Sequence, residues 1–324
     1  MKTTTIMIPK SFIYNYTCEP DEAALCELEK RSIFHIHSEE RCFESFIDFE
    51  PSRSPFIRDK IGVILRGKTI EDLIEKIKKL PETKASFKLV YVHNVDGVEA
   101  EKFGFKKRRQ IEREVGVQIP GEPELVDPDL LYGLIKLKEE WIFGLYTKSE
   151  AVWLHHQKKP HSYSVALNTR VARSVVNIAV PMADTNGIKV IDPCCGIGTV
   201  LVEALSMNID IVGSDINYLI LPGVRENLSH FGYEGEVSHR DIRDVNEKYD
   251  VAIIDLPYNL CSVITPQEQL EMLQSTYNFA DKLVILIVEP IDPILAEAGF
   301  TIVDRGDVRK GTFRREVIVC KKVV

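Results

Sequence analysis

The chain is short of the features that would place it in a membrane, in an oxidising compartment or in a metal-binding class. None of its apolar runs approaches the roughly 20 residues needed to cross a bilayer. Its opening residues, MKTTTIMIPKSFIYNY, contain neither a continuous apolar stretch nor a small-residue cleavage site. These absences predict a cytoplasmic protein. The seven cysteines are an odd number with no CxxC pair, which suggests neither a disulfide framework nor a zinc ribbon. His35 and His37 fall on one face of an expected strand with no third ligand near, so no metal is expected. Neither an internal repeat nor a low-complexity tract is visible. Basic charge is in deficit, 41 Lys and Arg against 49 Asp and Glu, and the net charge of −8 argues against a nucleic-acid partner for the chain as a whole.

What is present is an ordinary globular composition, 44% hydrophobic and 28% charged, over a length that suits two or three domains. The most informative stretch is Asp192 to Thr199, DPCCGIGT. It follows the apolar run Ile188, Val190, Ile191 and precedes Val200, Leu201, Ala204 and Leu205 at helical spacing. That order predicts a strand, a tight turn and a helix. Gly196 and Gly198 lack a Cβ, so the turn can take positive φ and a ligand can approach the backbone, facing the amides of the helix start. Cys194 and Cys195 are expected to be small side chains filling a crowded turn.

Downstream, strands and helices alternate as in a doubly wound α/β domain. Strands are expected at 209–214, 236–239, 249–254, 283–288, 300–303 and 315–320, with helices at 218–231, broken early by Pro222 and Gly223, and at 267–279. The long apolar runs at Ile253 and Leu283 suit parallel strands buried on both faces. Asp192, Asp215 and Asp241 each close a strand. At such ends a carboxylate can accept from ribose hydroxyls (Asp215) or from an adenine amino group (Asp241). A NAD-linked dehydrogenase would share that geometry.

Upstream, strand, helix, strand occurs twice within about 150 residues, an α+β arrangement of ferredoxin-like type. Strands are expected at 11–18, at 35–37 and from Cys42 to Phe49, with a helix carrying Ala24, Leu25 and Leu28 after Pro20. Strand IGVIL from Ile61 leads through Thr69, an N-cap, to a helix ended by Pro81. Strand FKLVYVHN and a basic helix from Lys106 to Val115 follow, then an apolar strand from Leu134 to Leu145. Residues from Thr147 to Tyr163 are expected to be linker, and Ser162 or Ser164 to cap a helix buried through Val165, Val171, Ala172, Val175, Val176 and Ala179, with Arg170 and Arg173 in solvent. Two basic clusters interrupt the acidic background: Lys102, Lys106, Lys107, Arg108, Arg109, Arg113, and Arg305, Arg309, Lys310, Arg314, Arg315.

The run Tyr249 to Ile254 ends in Asp255, Leu256, Pro257, Tyr258. This tetrapeptide resembles the DPPY motif of methyltransferases that act on planar amino groups, and DPCCGIGT resembles their cofactor motif. Pro160, Tyr163, Arg170 to Arg173 and Asn177 to Ala179 resemble the block before the cofactor turn in THUMP-containing guanine-N2 tRNA methyltransferases. The N-terminal half resembles their THUMP module more diffusely, through element order and the run GVQIP at Gly116 to Pro120. The resemblance implies a Rossmann-like methyltransferase domain preceded by an α+β ferredoxin-like and THUMP-like module. The expected ranges are 1–56 (ferredoxin-like segment), 57–150 (THUMP-like RNA-binding domain), 151–160 (linker) and 161–324 (methyltransferase domain).

The implied cofactor is S-adenosylmethionine, held by Tyr163, Ser164, Asp192, Cys194, Gly196, Gly198, Thr199, Asp215, Ile216, Asp241 and Ile242. The implied substrate is a tRNA guanosine N2 amine. Asp255 and the Leu256 carbonyl would accept its hydrogens, Tyr258 would stack on the base and Pro257 would stiffen the turn. Lys106, Lys107, Arg108, Arg109, Arg309, Lys310 and Arg314 would meet RNA phosphates. Leu256 departs from the motif's first proline. An adenine-N6 methyltransferase on DNA or ribosomal RNA, and a degenerate homologue that binds RNA without catalysis, stay open as alternatives. A need for a small activating subunit, and the oligomeric state, are unreadable.

Overall fold

The computed structural model describes residues 8–96, 103–163, 166–256, 264–311 and 313–322. They form two compact units, one from the described parts of 1–17, 38–52 and 56–150, the other from those of 18–37, 53–55 and 151–324. The chain begins with β1 (Phe12–Tyr16) in the first unit and passes into the second for α1 (Ala23–Phe34). It returns for β2 (Cys42–Ser45), β3 (Ile57–Gly67), α2 (Ile70–Ile77), β4 (Phe87–Tyr91), α3 (Phe105–Gly116), β5 (Leu130–Leu137) and β6 (Glu140–Lys148).

The strands of the first unit form one sheet in the order β2-β1-β3-β6-β5-β4, with β4 and β5 parallel and the other neighbours antiparallel. Its two faces follow from the twofold period of a strand. On β6, Trp141 and Phe143 join Leu73 and Ile77 of α2 and Ile111 and Val115 of α3, whereas Ile142 between them joins Ile13, Ile61 and Ile135. Thr69 caps α2 by accepting from the Asp72 amide at 3.2 Å. The single strand expected over 134–145 is a hairpin, with Lys138 turning the chain at a φ of 54°. The strand expected at 35–37 is also absent, because α1 runs to Phe34 and His35 ends it in the left-handed region.

The partition differs from the expected ranges. Strands on both sides of residue 56 share one sheet, while α1, from the expected N-terminal segment, packs in the second unit. Glu29 on α1 explains that allegiance. It is fully buried, accepts from Asn177 Nδ2 at 2.8 Å and Ser54 Oγ at 2.6 Å, and is pushed up to about 7 by burial. Arg31 adds a two-pronged pair with Asp304 at 2.8 and 2.9 Å.

The second unit continues with α4 (Trp153–His156), α5 (Thr169–Ala179), β7 (Val190–Asp192), α6 (Thr199–Ser206), β8 (Ile211–Asp215), α7 (Leu221–His230), β9 (Val237–His239) and β10 (Tyr249–Asp255). It ends with α8 (Pro266–Phe279), β11 (Ala280–Ile287), α9 (Asp292–Glu297), β12 (Phe300–Lys310) and β13 (Phe313–Lys322). The expected linker is docked rather than free: Trp153 and His156 are buried, and His156 Nδ1 lies 2.8 Å from Glu203. Arg173, expected in solvent, is buried and donates to the other Glu203 oxygen at 2.8 Å. The cap of α5 is Asn168 rather than a serine before it. Pro222 sits in the first turn of α7, where a missing amide hydrogen is tolerated, so it opens that helix rather than breaking it.

The sheet of this unit runs β12-β13-β11-β10-β7-β8-β9. The strands from β11 to β9 are parallel, β13 runs antiparallel to β11, and β12 in turn runs antiparallel to β13. The chain winds outward from β7 through β8 to β9, then returns to lay β10 on the other side of β7. The order therefore reverses between β7 and β10, and the crevice beyond their carboxyl ends is where a doubly wound sheet receives its ligand. Among the described residues no helix is long and apolar enough to cross a membrane.

Candidate active site

A cavity of about 410 Å3 opens at that crevice. The β7 end and its turn supply Asp192 to Ile197, Thr199 and Val200, and the β8 end supplies Asp215 and Ile216. Asp241 to Arg243 come from beyond β9, Asp255 and Leu256 from β10, Ile264, Glu268 and Met272 from α8 and the residue before its cap, and Tyr163, Ala166 and Leu167 from before α5.

The turn has the backbone its glycines permit. Gly196 and Gly198 take φ of 52° and 78°, and a Cβ built on Gly196 would enter open space, so a side chain there would occupy room that the crevice keeps for a ligand. Asp215 holds the turn in shape by accepting from the Gly196 amide at 3.0 Å and from the Asn217 amide at 2.9 Å. Gly198 does not line the cavity. It caps α6 and lies against Val224, where a Cβ would come within 2.8 Å of Cγ1.

Among the described residues, five carboxylates, Asp192, Asp215, Asp241, Asp255 and Glu268, face the cavity with one guanidinium, Arg243. The surplus of negative charge suits a cationic ligand. Burial, then the charges of Asp215 and Asp255, push the Asp192 carboxyl well up, while the Cys194 amide pulls the other way. Burial raises the Cys194 and Cys195 thiols, which keeps them neutral side chains within the turn. Asp241 is held low, first by its hydrogen bonds with Arg243 at 2.7 and 3.0 Å. Asp255 is pushed up to about 6 by burial against the opposing pull of Arg315. Its Oδ1 is buried and accepts no hydrogen bond among the described residues.

Of the sequence-predicted cofactor residues, the fold gathers Tyr163, Asp192, Cys194, Gly196, Thr199, Asp215, Ile216, Asp241 and Ile242 around one cavity, beside Asp255 and Leu256. Ser164, Pro257 and Tyr258 lie outside the described residues. The expected RNA contacts divide between the units. Lys106, Lys107 and Arg109 are exposed on α3 and Arg108 is half-buried there, whereas Arg309, Lys310 and Arg314 are exposed at the β12–β13 tip, with Arg309 and Arg314 both paired to Asp307.

Sequence reasoning missed Arg243, Glu268 and the inward side of Arg315. Arg243 stands two places after Asp241, close enough to chelate it. Glu268 sits three places after Thr265, the spacing of the capping box that the two form. Arg315 has a weaker signal, discussed below.

Residues 156–283 match the family described as UPF0020, RMKL-like, methyltransferase domain. The chain is 32% identical to the tRNA (guanine(10)-N2)-dimethyltransferase of Methanothermobacter thermautotrophicus over 176 residues, 51% of each protein. It is 27% identical to the enzyme of the same name from Pyrococcus abyssi, over 46% of this chain and 47% of that one. The chain thus spans about half the length of the curated relatives it matches. Among solved structures it resembles TrmN from Thermus thermophilus with a TM-score of 0.50 and 18% identity, over 97% of this chain and all of that one. At that identity the likeness is one of fold, and it agrees with the strand order above: an α/β, Rossmann-like methyltransferase fold preceded by an N-terminal module.

Proposed function

We propose that the chain is an S-adenosylmethionine-dependent methyltransferase acting on the exocyclic N2 amine of a tRNA guanosine. The observation that carries the reading is Asp255. Its carboxylate stands at the switch point beside the glycine turn, in a cavity rich in negative charge, with one buried oxygen that no described group occupies. Buried polar atoms are normally satisfied, so such an oxygen in a ligand crevice points to a donor that arrives with the substrate.

The residues present suit the cofactor. Asp215 would accept from the ribose hydroxyls, the wall at Ile216 and Ile242 would pack against the adenine, and the open space over Gly196 leaves room for the rest. When bound, the cofactor supplies an electrophilic methyl group on a sulfonium. Asp255 and the Leu256 carbonyl would accept hydrogen bonds from the attacking amine, drawing its lone pair out of the ring and stabilising the charge it gains. Tyr258 is assigned base stacking by its motif, and a paired base would have to be flipped out to reach it. We assign residues 57–150 the THUMP-like role in RNA binding, with Lys106 to Arg109 on α3 as phosphate contacts, and place the protein in the cytoplasm. The names of the two relatives and the fold likeness support this reading.

The test is incubation of the purified chain with methyl-labelled S-adenosylmethionine and separate pools of tRNA, ribosomal RNA and DNA, followed by nucleoside mass spectrometry. N2-methylated guanosine in tRNA is expected. N6-methyladenosine in another pool would overturn the substrate, and cofactor affinity without any product would mark a binding protein.

A further inference from the structure

Arg315 puts a charge where the strands of a doubly wound sheet normally place apolar groups. It follows Arg314 on β13, and successive side chains on a strand point to opposite sides. Arg314 is exposed and meets Asp307 at 2.6 Å, while Arg315 is 7% exposed. β11 lies between β13 and β10, so the long side chain spans that strand to bring Nη2 to 3.6 Å from Asp255 Oδ2. The guanidinium also lies over the Phe313 ring, 5.5 Å from its centroid. A cation that deep costs solvation that an anion must offset, and a guanidinium stays protonated at any working pH. Asp255 supplies such an anion, 3.6 Å away.

We infer that Arg315 is a positioning residue for Asp255: from the far side of β11 its guanidinium holds the carboxylate ionised and aligned through Oδ2, leaving Oδ1 for the hydrogen of the acceptor amine. This rests on the reading of Asp255 given above. The other ionisable groups that share the cavity among the described residues are Tyr163, Asp192, Cys194, Cys195, Asp215, Asp241, Arg243 and Glu268. Asp192 and Cys194 feel the Asp255 charge as a repulsion, and Arg243 is turned to Asp241 and Glu271. Arg315 is therefore the cation that offsets burial at Asp255.

The experiment compares the parent with Arg315→Met and Arg315→Lys, measuring kcat for methylation of unmodified tRNA from about pH 5 to 9. Calorimetry with S-adenosylmethionine and a thermal melt accompany each variant. The Met variant is expected to move the acidic limb upward by about one unit or more, so that turnover falls about twofold or more at pH 7, about tenfold at pH 5, and recovers as pH rises. Cofactor affinity should stay within about threefold, and the Lys variant should return the limb toward the parent. Loss by one factor at every pH, or an unmoved limb, overturns the inference.

A second readout does not depend on substrate. In protein carrying carbon-13 at the aspartate carboxyls, the signal lost in Asp255→Asn identifies Asp255, and its titration midpoint should rise in Arg315→Met. An unchanged midpoint overturns the inference even if the enzyme is active. If the parent methylates no nucleic acid, the proposed function fails while this titration still decides the coupling. Arg315→Gln carries the same expectations and serves where the Met variant does not fold.

Discussion

Asp241 and Asp255 line one crevice from opposite ends, with β7 and β8 between their strands, and their surroundings are opposite too. Asp241 accepts from the Arg243 amide at 2.9 Å and grips the Arg243 guanidinium, which reaches on to Glu271 at 3.1 Å. It is held low. Asp255 has one cation at 3.6 Å, a buried oxygen without a donor among the described residues, and a carboxyl pushed up to about 6. A carboxylate that is already satisfied shapes a wall. One left short of donors in a buried crevice stores the capacity to bind the next donor that enters.

The sharpest way to break this contrast is to remove each acid in turn. Asp255→Ala is expected to lower kcat by about 10²- to 10³-fold, the usual scale for losing one preorganised polar contact to the reacting group. Its cofactor affinity should stay within about threefold, as read by calorimetry. A variant that methylates tRNA as fast as the parent would remove Asp255 from the mechanism. Asp241→Ala should do the reverse, weakening S-adenosylmethionine about tenfold while changing kcat by less than about threefold. Equal losses in both parameters from both variants would erase the distinction.

The pH dependence separates the two acids without substituting either. Asp255 stabilises the positive charge gained by the amine only when ionised, so kcat should fall as pH drops through about 6, while Asp241, already held low, contributes no limb there. A flat profile between about pH 5 and 8 would contradict the assignment.

The smallest effect expected is on stability, and its sign differs between the acids. The folded state raises Asp255 above its ordinary 3.8, so its contribution is fully present below that value and is lost as pH rises through about 6. Relative to the parent, Asp255→Asn should therefore fare better at pH 8 than at pH 5, by a few °C in Tm or on the order of 1 kcal/mol, on top of a loss at both pH values from leaving the buried Arg315 guanidinium without its anion. Asp241 is lowered, so its stabilisation is present above its ordinary value and is lost on acidification. Asp241→Asn should lower Tm slightly at pH 8, by under about 1 kcal/mol. Melts at the two pH values decide both signs.

The parts of this site that were legible in the sequence are local. A strand, a glycine turn and a helix are written in consecutive residues, and acids at strand ends follow from the same reading, which is why Asp192, Asp215, Asp241 and Asp255 could be named before their convergence was visible. Arg315 was hidden by strand phase. Among five basic residues in eleven positions it read as one more surface charge, and the twofold alternation that turns it inward while Arg314 faces solvent depends on register with β11, which composition does not reveal. The hairpin over 130–148 was read as one strand because its turn uses Lys138 and Glu139 where glycine or asparagine would have marked it. The short helix α4 was missed because it is only 4 residues long within a segment rich in His and Lys and is fixed by a partner, Glu203, 47 positions away.

Helix α1 carries a consequence for how the molecule is made. Synthesis exposes Leu25, Leu28 and Ile33 early, but the Asn177 that Glu29 awaits comes 148 positions later and the Asp304 that Arg31 clasps comes 273 positions later. The helix therefore waits, its greasy side uncovered, until Asn177 and then Asp304 have emerged. Cutting the gene after the first sheet would leave each product incomplete, one with an orphaned helix and the other missing the piece that should cover α5.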